Sequence, residues 1–171
     1  MELKIDNTRM TPKEMVEIYM SKQYSPVIIK CHSSQDWRIL FDEQPVIINA
    51  LEIDTSELLG IDYGTRTHFT PKWFQELLVK KILIIENLDS ISMIDQLSFL
   101  HLCRNPKEDD VYRSLGEVFV PPENRRERIY NIVPKDVTTF IIIKDNPKDK
   151  INPQIYSRSY GTIDLEEMCN I

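Results

Sequence analysis

Small residues are scarce in this chain of 171 residues, which contains four glycines and a single alanine, Ala50. Enzymes that bind nucleotide phosphates through a glycine-rich loop need glycines in close succession, because there the backbone must approach the phosphates. The four glycines stand at positions 60, 64, 116 and 161. This spacing disfavours most enzymes that cradle phosphates in such a loop.

Cysteine and histidine are also few, and negative charge outweighs positive charge. The three cysteines form no CxxC pair and the three histidines complete no zinc-site spacing, so we expect no metal site. A net charge of −6 disfavours general binding to nucleic acid or to an anionic membrane. We see no signal peptide and no apolar run of the ~20 residues that span a bilayer. These features predict a cytoplasmic protein that does not bind a membrane.

What the sequence does contain is an alternation of helix and strand patterns. Helix starts are indicated at Thr11-Pro12, at Thr70-Pro71 and by a capping-box pattern at Ser92, while residues 60–70 are expected to form a loop. Apolar, β-branched runs predict strands at residues 26–31, 45–54, 82–85 and 138–143, with weaker candidates at 117–120 and 162–165. The alternation predicts an α/β fold, a three-layer αβα sandwich around a mostly parallel sheet.

We expect a single domain over residues 1–171. It would consist of an N-terminal helical segment, residues 1–24, and an α/β core, residues 25–171. An irregular insertion at about residues 106–136 is expected within the core.

Three segments resemble, in order, motifs of the AAA+ ATPase family. Residues 81–91 (Lys-Ile-Leu-Ile-Ile-Glu-Asn-Leu-Asp-Ser-Ile) resemble a Walker B strand, and residues 139–147 resemble a sensor 1 strand with Asn146 at its polar tip. Residues 151–158, which end in Ser157-Arg158, are similar to the stretch that leads into the family's arginine finger. The resemblance implies a P-loop NTPase-like fold with five parallel strands, of which those from residues 82 and 139 lie near the centre.

Parts that this family needs for ATP hydrolysis are missing. Residues 31–36 (Cys-His-Ser-Ser-Gln-Asp) follow the first strand where the family has the Walker A motif GxxxxGK[ST], and only residues 32–44 join the first two strands. Glu86 stands at the position of the metal-binding Asp and Asn87 at that of the catalytic Glu. A carboxamide cannot accept a proton from water at neutral pH. The helical lid is expected to be absent too, since six residues follow Leu165. The resemblance is thus to a degenerate AAA+ core with an altered Walker B motif.

Four residues are candidates for a degenerate ligand site, and each has a structural alternative. They are Glu86, Asn87, Asp89 and Asn146. The carboxylates Glu86 and Asp89 follow a central strand, where open α/β sheets build their sites. They are either a vestigial metal or ligand site or acids that stabilise loops and helix ends. Asn146 is either a sensor or a residue that turns the chain before Pro147.

Five residues are candidates for an interface: Arg158, Tyr63, Arg125, Arg126 and Arg128. Arg158 is either a finger inserted into a neighbouring subunit or a member of a surface ion pair. Tyr63 stands where unfoldases carry an aromatic pore loop, or it anchors a flexible loop. The three remaining arginines form a patch for nucleic acid or an acidic partner, or a solvated helical face with interleaved glutamates.

These observations lead to one main functional hypothesis and two alternatives. The main hypothesis is a catalytically inactive AAA+-like module without a cofactor that binds a protein partner, as a non-hydrolysing subunit or regulator of an ATPase assembly. The first alternative is a nucleotide-binding switch or weak ATPase, with Ser33 and Ser34 at the phosphates of ATP and with Glu86 and Asp89 at Mg²⁺. The second is a nucleic-acid accessory protein of replication or of a mobile element, which would use the arginine cluster.

Overall fold

The computed structural model describes residues 10–31, 37–62, 64–65, 67–103, 118–119, 128–129 and 133–165. In chain order its strands are β1 (Val27–Lys30), β2 (Val46–Asn49), β3 (Ile61–Asp62), β4 (Thr67–His68), β5 (Ile82–Glu86), β6 (Val118–Phe119), β7 (Arg128–Ile129), β8 (Thr138–Ile143) and β9 (Thr162–Asp164). Its helices are α1 (Pro12–Ser21), α2 (Thr55–Leu59), α3 (Lys72–Lys80), α4 (Pro147–Lys150) and α5 (Pro153–Tyr156), with 3₁₀ helices at Trp37–Leu40, Leu88–Ser90 and Asp95–Leu102.

Five of these strands form one sheet, in the order β2-β5-β8-β1-β9, and every neighbouring pair is parallel. The strands from residues 82 and 138 are adjacent, with Ile84 beside Phe140, and the second of them is central, as the resemblance implies. When the five strands are numbered in chain order within this sheet alone, their spatial order is 2-3-4-1-5. This order differs from the dinucleotide-binding order 3-2-1-4-5-6 and from the flavodoxin-like order 2-1-3-4-5. The chain leaves β1 towards β2 but leaves β8 in the opposite direction, towards β9. The direction of winding therefore reverses between β1 and β8, and ligands of open α/β sheets bind at such reversals.

The sheet is buried on both faces, which explains the unbroken apolar runs in the sequence. Alternate residues of β5 and β8 enter two separate hydrophobic clusters: Leu83 and Ile141 belong to one, Ile84 and Phe140 to the other. The first cluster is covered by α2, α3, α5 and the 3₁₀ helix Asp95–Leu102. The second is covered by α1 and the 3₁₀ helix Trp37–Leu40. Helices thus cover both faces of a parallel sheet, and the predicted α/β class is confirmed.

Helix α1 begins as its sequence predicts. Thr11 precedes the helix, and its Oγ1 accepts a hydrogen bond of 3.2 Å from the backbone N–H of Glu14. Pro12 occupies the first helical position, where a missing N–H costs nothing. The helix buries Met15 and Tyr19 against the second cluster. The N-terminal helical segment therefore packs as part of the same core.

Three local predictions were wrong in detail. The strand predicted over residues 45–54 ends at Asn49, because the Oδ1 of Asn49 accepts from Leu51 N over 3.0 Å and turns the chain towards α2. The loop predicted at residues 60–70 contains the antiparallel pair β3–β4. The helix predicted from Ser92 is a 3₁₀ helix, although Ser92 Oγ does accept from the N–H of Asp95 over 3.1 Å.

The 3₁₀ form of that segment matches its burial pattern. Its buried residues are Gln96, Phe99 and Leu102, which repeat every third position. A 3₁₀ helix has three residues per turn and aligns side chains at this spacing, whereas an α-helix would rotate them apart.

The insertion predicted at about residues 106–136 lies mostly outside the described residues. Within it, Val118 of β6 pairs with Ile129 of β7 in antiparallel fashion, and Val133 is buried in the first cluster. Among the residues that the structure describes, no helix has the length and apolar character needed to cross a membrane.

Candidate functional site at the carboxyl edge of the sheet

The motif residues meet where the parallel strands end, an edge that we call the carboxyl edge. Asn49 at the end of β2 lies beside Glu86 at the end of β5. Lys30 ends β1 and lies beside Asp164, the last residue of β9. Asn87 and Asp89 follow β5 directly, and Asn146 follows β8. The structure therefore brings all four candidate ligand-site residues to one edge.

Asn87, at the position of the catalytic Glu in the resemblance, is directed towards β2. Its backbone has φ 64° and ψ 20°, a left-handed conformation that Asn tolerates better than most residues. Its Nδ2 donates a hydrogen bond of 2.9 Å to Oδ1 of Asn49. The side chain therefore joins the loops that follow β2 and β5.

Asp89 joins the next pair of loops. Its Oδ2 accepts a hydrogen bond of 3.0 Å from the backbone N–H of Lys144, which directly follows β8. A hydrogen bond to a carboxylate is charge-assisted and stronger than one between neutral groups. Asp89 thus anchors the 3₁₀ helix Leu88–Ser90 to the end of the central strand.

Glu86 faces a cation that sequence reasoning did not assign to the site. Its Oε1 lies 3.8 Å from Nη2 of Arg38, whose guanidinium carbon lies 4.7 Å from the centre of the Trp37 ring. The Arg38 side chain is 57% exposed, so this ion pair contributes little to stability. It does place a positive charge beside Glu86. In the sequence, the only indication that Arg38 could belong to the site is that it is the first lysine or arginine after β1.

A second charged pair at the same edge was also missed. Lys30 Nζ lies 3.8 Å from Oδ2 of Asp164, and both side chains are three-quarters buried or more. The pair joins β1 to β9 close to the point where the direction of winding reverses. In the sequence, the only indication of this pair is that β1 and β9 each end in a charged residue.

Asn146 and Arg158 both bond to the backbone of this chain. Oδ1 of Asn146 accepts from the N–H of Lys148 over 3.1 Å and caps α4, in agreement with the interpretation that Asn146 turns the chain. Arg158 is partly buried, and its Nη1 donates to the carbonyl oxygen of Cys103 over 3.2 Å. Burial raises the pKa of the Cys103 thiol to about 12, with the Arg158 cation opposing the shift. Cys103 is therefore a neutral structural thiol rather than a nucleophile.

A cluster of two buried amides, which we call the Gln96–Asn152 cluster, was not predicted. Nε2 of Gln96 donates to the carbonyl oxygens of Lys150, over 2.8 Å, and Ile91, over 3.3 Å. Oε1 of Gln96 accepts from the N–H of Asn152 over 2.7 Å, and Nδ2 of Asn152 donates to the carbonyl oxygen of Met93 over 2.7 Å. The cluster ties the loop after β5 to the loop after β8 a second time.

Some candidates lie outside the described residues. These are Tyr63, Arg125 and Arg126, together with Ser33 and Ser34 of the alternative phosphate site. Arg128 belongs to β7, where it is paired with Phe119. Within the described ranges, no three histidine, cysteine or acidic side chains converge in a way that could hold a metal ion.

A separate open groove of about 660 Å³ lies between α2 and the start of α3. It is lined by Glu57, Glu76 and residues 69–73, none of them a candidate from the sequence. Trp73 is partly buried and packs against the first hydrophobic cluster. Its Nε1 donates to the carbonyl oxygen of Glu57 over 3.2 Å, which fixes one wall of the groove.

In the described part of the carboxyl edge, side-chain hydrogen bonds join the ends of neighbouring strands. Asn87 links the loop after β5 to Asn49 of β2, and Asp89 links it to the backbone after β8, whereas Asn146 bonds within its own loop. No protein-family model matches the chain, and no curated protein matches it.

Proposed function

We propose that this chain is a catalytically inactive AAA+-like module that acts by binding a protein partner, as a non-hydrolysing subunit or regulator of an ATPase assembly. The order of the three motif-like segments supports the AAA+-like assignment. So does the five-stranded parallel sheet, in which the Walker B-like and sensor 1-like strands are adjacent.

One observation supports the loss of catalysis: the motif positions are used for internal hydrogen bonds. Asn87 bonds to Asn49, Asp89 accepts from the backbone after β8, and Asn146 caps α4. Hydrolysis of the terminal phosphoanhydride bond of ATP is accelerated by a base that orients the attacking water and accepts its proton. The amide of Asn87 supplies no base and already has a partner in Asn49.

The same bonds favour a role in binding. The loops after β2, β5 and β8 are fixed to one another, so this edge loses little conformational freedom when a partner covers it. Such preorganisation lowers the entropic cost of association. A rigid edge suits a recognition surface better than a nucleotide site whose loops must move in each cycle.

Titration of the protein with Mg-ATP and Mg-ADP, followed by calorimetry and by thermal unfolding, tests the proposal. We expect no binding at millimolar nucleotide and no phosphate release, for the wild type and for Asn87→Glu alike. A nucleotide switch would instead bind, and ligand at 100 times its Kd raises the unfolding free energy by about 2.7 kcal/mol. For a domain of this size that corresponds to a rise in Tm of roughly 5–10 °C. Such a rise would refute the proposal.

Two further measurements separate the partner classes. Affinity capture from the native host should recover an intact ATPase, and the purified protein should change the turnover of that ATPase. DNA and RNA binding should be undetectable at low salt. Salt-dependent binding that is lost in the variant with Arg125, Arg126 and Arg128 all changed to Ala would favour the nucleic-acid alternative.

A further inference from the structure

We propose that strand β2 binds an extended segment of the protein partner along its open side, by which we mean the side of Val46–Asn49 that faces away from β5. The segment would add to the sheet as a sixth strand and carry lysine or arginine at one end. The inference rests on the proposed function in one respect, that the partner is a protein. It adds the surface of contact and the kind of segment that fits there.

Strand β2 lies at one end of the five-stranded sheet, and among the described strands only β5 pairs with it. The N–H of Ala50 donates to the carbonyl oxygen of Glu86 on β5 over 2.9 Å. Because backbone groups alternate in direction along a strand, those of Ile48 are also directed towards β5, and those of Ile47 and Asn49 are directed away from it. The groups that an added strand could pair with thus include the N–H and C=O of Ile47 and the N–H of Asn49.

The two ends of the sheet differ in how they are protected. Open strand sides in soluble proteins usually carry a device against pairing, such as a charged residue, a proline or a bulge. Strand β9, at the far end, finishes in Asp164, which lies 3.8 Å from Lys30. The four residues of β2 include no charged residue and no proline, and one of them, Ile47, is 36% exposed. This contrast indicates that β2 is the end of the sheet at which another strand can pair.

The side chain of Ile47 is left uncovered on the second face of the sheet. Val46 and Ile48 belong to the first cluster, so Ile47 points to the opposite face, that of the second cluster. The described part of the connection between β1 and β2 contains one helix on this face, the 3₁₀ helix Trp37–Leu40, whose four residues span only about 8 Å. The second cluster includes no residue of β2. An apolar side chain of an added strand would cover Ile47 here.

The turn after β2 indicates the charge of the added segment. The N–H of Glu52 donates to the carbonyl oxygen of Asn49 over 3.1 Å, which holds Glu52 at the carboxyl end of β2. Glu52 and Asp54 are both exposed, and neither makes an ion pair with another described residue. Asp54 precedes α2, but its side chain makes no capping hydrogen bond. A lysine or arginine therefore fits beside these two carboxylates, where it would fix the direction and register of the segment.

A second copy of this chain fits the same surface less well. In a symmetric dimer the open sides of two β2 strands would pair in antiparallel fashion, so that residues 42–54 of the two copies would lie along each other. That stretch contains no lysine or arginine. A second copy therefore lacks the basic end that Glu52 and Asp54 favour, and a segment of a different protein is the better occupant.

A defined peptide tests the inference on the full chain. The probe is Lys-Lys-Val-Thr-Val-Thr-Val, acetylated and amidated, whose lysines reach the carboxyl end of β2 when the peptide runs antiparallel to this strand. In the protein alone, the amides of Ile47 and Asn49 should exchange hydrogen faster than that of Ile48. Addition of the peptide should shift the NMR signals of these two amides and slow their exchange, with a Kd below about 1 mM.

Matched changes separate strand addition from nonspecific contact. The peptide with glutamates in place of its lysines should bind about fivefold more weakly or worse, and N-methylation of the peptide N–H groups that face β2 should abolish binding. Ile47→Lys should weaken binding by about fivefold or more, because a lysine on an open strand opposes pairing. Ile94→Lys, at a side chain that is 79% exposed in another loop, should stay within about twofold of the wild type. Thermal unfolding of both variants shows that they fold.

Three results would overturn the inference. They are a peptide that shifts no signal of β2 at about 5 mM, equal affinity for the lysine and glutamate peptides, and amides of Ile47 and Asn49 that are already protected in the protein alone. A dimer that Ile47→Lys dissolves would assign the surface to a second copy and overturn it too. None of these results bears on nucleotide binding, so the proposed function can stand when the inference fails. Binding of Mg-ATP would refute the proposed function while leaving the peptide result intact.

Discussion

Nδ2 of Asn87 donates a hydrogen bond of 2.9 Å to Oδ1 of Asn49, and this bond joins the loops after two neighbouring strands. The backbone of Asn87 is left-handed, with φ 64°. An amide side chain meets both needs, because Asn tolerates this conformation and supplies a donor. A glutamate tolerates the left-handed conformation less well and its carboxylate offers no donor. These two needs account for the amide at this position of the Walker B-like segment.

Asn87→Ala should therefore destabilise the protein more than Asn87→Gly. Both variants lose the hydrogen bond, worth about 1 kcal/mol. Alanine also suffers steric strain of about 1–2 kcal/mol in the left-handed region, whereas glycine adopts it freely. Urea unfolding should give a difference of about 1 kcal/mol between the two variants. Equal stabilities would show that the left-handed conformation is not required.

Gly161→Ala should be destabilising because of Tyr19. A Cβ at Gly161 would collide with the hydroxyl of Tyr19 and lie 3.2 Å from its Cζ, and that ring is 3% exposed. Overpacking of this kind typically costs about 1–3 kcal/mol. Adding Tyr19→Phe should recover part of the loss in a double-mutant cycle. Gly64→Ala is the matched control: there the nearest atom, Asp62 Oδ1, is 3.3 Å away in an exposed turn, so we expect a change within about 0.5 kcal/mol.

His101 should make stability depend on pH. Its Nε2 donates to the carbonyl oxygen of Leu58 over 3.1 Å, and burial lowers the pKa of His101 from 6.5 to about 4. Between these two values the unfolded chain binds a proton that the folded chain does not. The free energy of unfolding should thus fall as the pH decreases from 6.5 towards 4, by up to about 1.4 kcal/mol per pH unit.

The pH effect is measured by urea unfolding at a series of pH values for the wild type and for His101→Gln. Glutamine keeps a donor for Leu58 but does not titrate, so the slope between pH 4 and 6.5 should be smaller in the variant. Identical slopes in both proteins would assign the pH dependence to other groups.

Gln96→Leu should cost much more than the same change at an exposed glutamine. At Gln96 it removes three hydrogen bonds and leaves the buried backbone N–H of Asn152 without a partner, which alone costs about 1–3 kcal/mol. Gln75 donates a single bond of 2.8 Å to the carbonyl oxygen of Thr70 on the surface, so Gln75→Leu should cost at most about 1 kcal/mol. Similar losses for both variants would contradict the structural role of the Gln96–Asn152 cluster.

The sequence was most informative where burial alone determines the conformation. The apolar runs of β1, β5 and β8 predict strands, and their lack of alternation predicts a parallel sheet covered on both faces. The helix start at Thr11 was equally readable, because a capping box is a local signal. Elements of two to five residues such as α2, β3 and β4 were missed, since so few residues establish no periodicity.

The carboxyl edge was only half predictable. Its candidate residues could be named, because parallel strands place their ends together. Their partners could not be named: Asn49 and Asn87 are 38 positions apart, and Gln96 and Asn152 are 56 apart. Which amide meets which backbone group depends on the packing of several loops at once, and no local pattern records it. That Glu86 and Asp89 belong to a degenerate ligand site and that Arg158 contacts a partner stay predictions.

The position of β1 has a consequence for how the chain folds during synthesis. This strand leaves the ribosome first of the five strands in the sheet, yet both its neighbours, β8 and β9, are the last two of the five to be synthesised. Ser25 Oγ likewise accepts from the N–H of Thr139, 114 positions later. The apolar side chains of β1 therefore lack their native neighbours until residues 138–164 have been synthesised. Folding dominated by such distant pairings is slow and exposes apolar surface to aggregation. A nascent chain halted before residue 138 should therefore depend on chaperones, which ribosome-bound truncation series can measure.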